Sequence, residues 1–176
     1  MNNKAQIKLS FGMIFSIILI IIFLSVAFYA ILKFLDLQKE IEIGKTIDSL
    51  KSDINRIWGA TQASEKQVYN LPSEVKFVCF IDYTKNARGE FTEYEKGNDI
   101  INLYNELKVL RSDDNQNLFF YPPSSSRNFG AYKLDHINIS KITQENNPYC
   151  IRNIKEKTSL LLKKDFGENL VIIEKA

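Results

Sequence analysis

From Leu9 to Leu32 the chain runs for 24 residues without one charged side chain, and only Lys33 interrupts the apolar sequence before Phe34 and Leu35. As a helix rising ~1.5 Å per residue, such a run covers ~36 Å, more than the ~30 Å hydrocarbon core of a bilayer. A lone strand leaves its backbone unsatisfied in lipid, so helix is the expectation. The chain then divides into a short basic leader at residues 1–8, a transmembrane helix at 9–35, an amphipathic helix at 36–70 and a head domain at 71–176. The head, 106 residues, is one small domain and not two.

Charge sharpens the division. Residues 1–32 hold two lysines and no acid, residues 33–70 hold six basic and six acidic groups, and residues 71–176 hold fifteen of each. The whole net charge of +2 therefore comes from Lys4 and Lys8. No basic surplus is left for nucleic acid, which is not an expected partner. The counts of Lys and Arg flanking the span do not settle its orientation, but long domains cross largely regardless of charge. The expectation is a single-pass protein of the cell membrane, with its N-terminus cytoplasmic and its C-terminal domain extracytoplasmic. Cleavage after Ser25-Val26-Ala27, as in a secretory signal peptide, is the competing reading, and the apolar stretch running on to Leu35 is long for it.

Beyond Lys33 the pattern does not become a loop. Ile43, Ile47, Leu50, Ile54 and Ile57 step by four and three residues, with Leu37 and Ile41 on the preceding turns, while Lys39, Glu40, Lys45, Asp48, Lys51, Asp53 and Arg56 take the opposite face. The membrane helix and this helix are read as continuous. A half-apolar helix must bury its stripe, on the chain's own sheet or on a coiled-coil partner; packing on the sheet is preferred, with Trp58 in the core. Gly44 and Gly59 weaken the helix locally without stopping it.

Pro72 biases Leu71 away from helix. Val75 to Tyr83, apolar on both faces, reads as a central strand covered by the long helix on one side. Asn86 to Gly97 reads as a loop or loose hairpin, and Asn98-Asp99 as the cap of a short helix carrying Ile100, Leu103, Tyr104, Leu107 and Leu110. Leu118 to Tyr121 is a strand stopped by Pro122-Pro123, with Ser124 to Arg127 a flexible tip. Strand-like segments at Tyr132–Ile139, Tyr149–Ile154, Ser159–Leu162 and Asn169–Ile173 form a meander of mainly antiparallel neighbours. The fold class is thus α+β: a single N-terminal transmembrane helix continuing into an amphipathic helix packed on a mainly antiparallel β-sheet head.

The two cysteines, Cys79 and Cys150, are too far apart in sequence for a CxxC redox or zinc pair. In an oxidising compartment a bridge between them closes a loop of about 70 residues, worth up to ~4 kcal/mol on the chain-entropy model. The alternative is two unpaired cysteines acting as small buried hydrophobes. Asn138-Ile139-Ser140 is the one glycosylation acceptor pattern. His136 is the sole histidine, so no histidine-based metal cluster forms, and adjacent Asp135 faces the other way in a strand. Asp113 and Asp114 with Asn115 and Asn117 offer oxygen ligands but lack the Gly and terminal Glu of a calcium loop; a solvated turn is the expectation. Gly12 and Ser16 form one small-xxx-small pair in the span. No catalytic residue, metal or cofactor is expected, and the chain is not read as an enzyme.

Around Lys4-Ala5-Gln6 a very short basic leader, a small residue, Gln and a hydrophobic helix follow one another. This resembles the class III signal of archaeal type IV pilins, and the order of long helix then β-rich head is similar as well. The resemblance implies a retained helix and a cut between Ala5 and Gln6 on the cytoplasmic side. Two and four residues after the Gln, where the family commonly has Ser and Glu, stand Lys8 and Ser10. The resulting expectation is a structural or interaction protein, a pilin-like or minor pilin-like subunit, with membrane lipid and like subunits as partners of its N-terminal helix. A lone signal-anchored envelope domain that binds a ligand or partner without polymerising is the alternative, and a surface hydrolase the third class.

Overall fold

The computed structural model describes residues 11–97, 99–113, 115–126 and 129–176, with side chains throughout except at Lys96. The expected leader and its cut at Ala5–Gln6 lie outside the described residues, as do Asp114 and Arg127. The chain divides into two units, Met1–Gln38 and Lys39–Ala176, each taken by itself below. The fold is α+β: a long N-terminal helix, α1 (Phe11–Gly59), followed by antiparallel sheets on which the stretch of α1 beyond Gln38 packs.

In the second unit the four-and-three stripe does what its spacing predicts. Ile43, Ile47, Leu50, Ile54 and Ile57 are all at most 2 % exposed. They pack against two sheets at once, one of three strands and one of four. The first is built from β1 (Ala63–Asn70), β8 (Lys157–Lys164) and β9 (Ile172–Lys175); the second from β2 (Phe77–Phe80), β5 (Leu118–Tyr121), β6 (Ala131–Tyr132) and β7 (Tyr149–Arg152). Every pairing in them is antiparallel. Side chains alternate across a strand, so β2 serves two cores. Val78 and Phe80 face the aliphatic core under α1, whereas Phe77, Cys79 and Ile81 face a second core rich in aromatic rings. That second core is closed by Phe91, by Leu103, Tyr104 and Leu107 of α2 (Leu103–Lys108), and by Tyr94 of the hairpin β3 (Tyr94–Lys96) and β4 (Asp99–Ile101).

Several expectations are corrected. The amphipathic helix does not reach residue 70: it ends at Gly59, and Ala63–Asn70 forms β1. Ala63, Glu65, Gln67 and Tyr69 alternate toward the interior, but only Tyr69 is both apolar and buried, so the period-two signal is weak and pairing along the whole of β8 decides the structure. Leu37 and Ile41 do not share the buried stripe; at ~100° per residue they lie well round the helix from Ile43, and they are 52 % and 47 % exposed. The cap of α2 is Asn102, whose side chain accepts from the Asn105 N–H at 3.1 Å, so Asp99–Ile101 is left free to pair as β4. Asn98 lies outside the described residues.

The C-terminal third is less regular than a meander. Beyond Tyr132 the chain turns, with His136 at φ 64°, and forms α4 (Ile139–Ile142). β7 joins β2 in one sheet while β8 joins β1 and β9 in the other, so of the last three strands only β8 and β9 are sheet neighbours. Pro123–Ser126 is a short helix, α3, with Ser126 fully buried, and not a flexible tip. Trp58 is 41 % exposed, stacked on His136 with ring centroids 3.7 Å apart, because its position falls at the edge of the buried stripe.

Candidate functional site: an uncovered apolar helix and a bridged head

Every residue from Phe11 to Leu35 is exposed, and α1 contains an apolar window long enough to cross a membrane. The polar atoms within that window are satisfied locally. Ser16 Oγ donates to the Gly12 carbonyl and Ser25 Oγ to the Ile21 carbonyl, each at 2.8 Å. Both are bonds to the carbonyl four residues earlier, so neither hydroxyl is left to seek a partner across lipid. The Gly12–Ser16 pair is therefore internally bonded. At the end of the run the Lys33 ammonium lies over the Tyr29 ring, 5.7 Å from its centroid.

The head carries the second sequence-predicted feature. Cys79 on β2 lies directly opposite Cys150 on β7, and the two are bridged, with S–S 2.05 Å and Cα–Cα 4.0 Å. Central position explains the pairing: β2 is flanked by β5 and β7, and register sets the two cysteines side by side on the aromatic face. The bridge is almost wholly buried, with Cys79 0 % and Cys150 8 % exposed.

Asn138 is the N-cap of α4, its side-chain oxygen accepting from the Lys141 N–H at 3.1 Å. Ser140, the hydroxyl residue of the same acceptor pattern, donates to Asp82 Oδ2 at 3.1 Å. Asp82 is the most deeply buried carboxylate of the described head, 4 % exposed. Burial pushes its pKa up, but the Thr84 hydroxyl and N–H, the Ser140 hydroxyl and the nearby Lys85 ammonium outweigh burial and hold it below the ordinary carboxylate value. Fully buried Asn147 ties the same turn down: its side chain accepts from the Asp82 N–H and donates to the Asp82, Lys85 and Asn86 carbonyls. This knot joins the end of β2 to the start of α4.

Among the described residues, those weighed for chemistry from the sequence have other partners. His136 stacks on Trp58 and its carbonyl accepts from Val171 N–H, while the Asp135 carboxylate pairs with Lys133 at 2.8 Å, which lowers its pKa. Asp113 Oδ1 accepts from the Asn115 N–H in a local turn, and the Asn117 side chain instead bonds both the N–H and the carbonyl of Leu134. Among the described residues no group of three or more His, Cys, Asp or Glu is placed to hold a metal.

Three features escaped the sequence reading for two different reasons. The Tyr29–Lys33 contact is spaced one helical turn apart and was legible in principle. The Trp58–His136 stack and the Asp82–Asn147 knot join residues 78 and 65 positions apart, with no local pattern to announce them. Comparison with protein-family models, curated proteins and solved structures finds no match to the chain.

Proposed function

We propose that the protein is a non-enzymatic, membrane-anchored structural or interaction protein of the cell exterior, pilin-like in plan. The segment Phe11–Leu35 is the anchor, the N-terminus faces the cytoplasm and the head faces outward. The observation that carries the reading is the contrast in cover: no residue of the apolar window is buried, while the head closes two cores of its own. The locally bonded Ser16 and Ser25 hydroxyls suit such a helix to lipid. The Cys79–Cys150 bridge suits an oxidising compartment, where structural disulfides persist. The order of apolar helix and β-rich, bridged head supports the resemblance to archaeal type IV pilins. In a filament, neighbouring helices would replace acyl chains around Phe11–Leu35.

The test is the N-terminus of the protein recovered from its native membrane. A chain beginning at Gln6 is the expected result and marks pilin-type processing. A chain beginning at Phe28 overturns the anchor, and a retained Met1 leaves a lone anchored domain in place of a pilin-like subunit.

A further inference from the structure

The apolar stretch is longer than a bilayer needs, so where lipid ends along it is a question of side-chain chemistry. Leu9 to Tyr29 is 21 residues, ~32 Å as a helix, which matches a ~30 Å hydrocarbon core; Leu9 to Leu35 is 27 residues, ~40 Å, and overshoots it. Lys33 is the first charged side chain after Lys8, and Asp36 follows one turn later. A boundary at Leu35 would hold the Lys33 ammonium among acyl chains. A boundary at Tyr29, six residues earlier, frees it, and there the chain places an aromatic ring with a polar tip. Tyr29 is 64 % exposed, and Lys33 Nζ stands 5.7 Å from its ring centroid. Tyrosine at a membrane interface sits with its ring against the hydrocarbon and its hydroxyl in the headgroup layer, and lysine extends its apolar stem to carry its charge there.

We propose that Tyr29 and Lys33 make the lipid-headgroup contact at the head-proximal edge of the span, the ring at the hydrocarbon boundary and the ammonium on a lipid phosphate. This rests on the anchor reading and adds its depth. Phe34 and Leu35 then lie at headgroup level, outside the acyl region.

The experiment uses the full chain, its Cys79–Cys150 bridge intact, in phosphatidylcholine vesicles. Single cysteines are placed from Ala27 to Gln38, leaving Tyr29 and Lys33 unchanged, and reacted with a charged maleimide supplied to both faces of the bilayer. The expected result is a rise of at least tenfold in rate between residues 28 and 34, and a shift of that rise by about one turn toward Gln38 in Lys33→Leu. A rise lying at Leu35 or beyond in the otherwise unchanged chain overturns the inference, as does a Lys33→Leu profile that does not move. Fast reaction at every position overturns the span itself and the inference with it, so the two failures are told apart.

Discussion

The two stretches of α1 are equally helical, yet their compositions and surroundings differ: Phe11–Gln38 holds 12 Ile and Leu in 28 residues, Lys39–Gly59 six in 21. Beyond Gln38, five apolar residues spaced by four and three are buried to within 2 % of complete, and charges occupy the far side of the helix. Before it, apolar residues occupy the whole circumference and none is covered. An apolar stripe can be buried by one sheet face, whereas an apolar circumference needs an environment on all sides. Apolar content and periodicity together thus separate the part of the helix that belongs to the head from the part suited to lipid.

The largest expected effect breaks this comparison at its centre. Leu50→Ala, which empties a site in the aliphatic core, should cost about 2–5 kcal/mol of head stability in thermal denaturation of the detergent-solubilised chain. Leu24→Ala in the uncovered stretch should leave the same transition unmoved. Equal losses from the two would mean that the stretches do not differ in cover.

Removing the bridge comes next. Cys79→Ala with Cys150→Ala should lower head stability by about 2–4 kcal/mol and leave membrane retention unchanged, because the bridge lies wholly within the second unit. Thiol titration of the denatured, unreduced protein should find none free, and two reactive thiols would contradict the pairing.

Acid should loosen the head through Asp82. Its folded-state pKa is lowered, so its contribution is present above the unfolded value of ~3.9 and is lost as pH falls through the folded value. Asp82→Asn should be less stable than the unchanged chain at pH 7 by about 1.5–3 kcal/mol. That gap should narrow as the pH is taken below ~4, which melting curves across pH 7 to 3 would show. A gap constant with pH would remove the carboxylate from the account.

The smallest effect concerns the join between helix and sheet. The Thr46 hydroxyl, on the buried side of α1, donates to the Asn70 carbonyl at 2.5 Å. Thr46→Val should cost about 1 kcal/mol in the same melting experiment. Leu24→Val in the uncovered stretch should again leave the head transition where it was.

Much of this was legible in the chain. The apolar run, the five-residue stripe, the central strand at Phe77–Phe80 and the strand at Leu118–Tyr121 follow from local periodicity, which reports directly on burial. The Cys79–Cys150 bridge was an open alternative until register placed the residues side by side. What escaped was set at long range. Ala63–Asn70 is a strand because β8 offers it eight partners, and Asn102 displaces Asn98-Asp99 as the cap because Asp99–Ile101 is drawn into a hairpin. The split of the last strands between two sheets depends on β2 and β1, both distant in sequence. Of the candidate site, the apolar run was visible as composition, and the Tyr29–Lys33 contact needed only the helical turn.

The most direct test of the central claim is extraction of the full-length chain from cell membranes at alkaline pH, conditions that strip peripheral proteins. The account predicts that the protein stays in the pellet and is released by detergent alone, while the same chain without residues 1–38 appears in the soluble fraction. Full-length protein in the alkaline supernatant would contradict it.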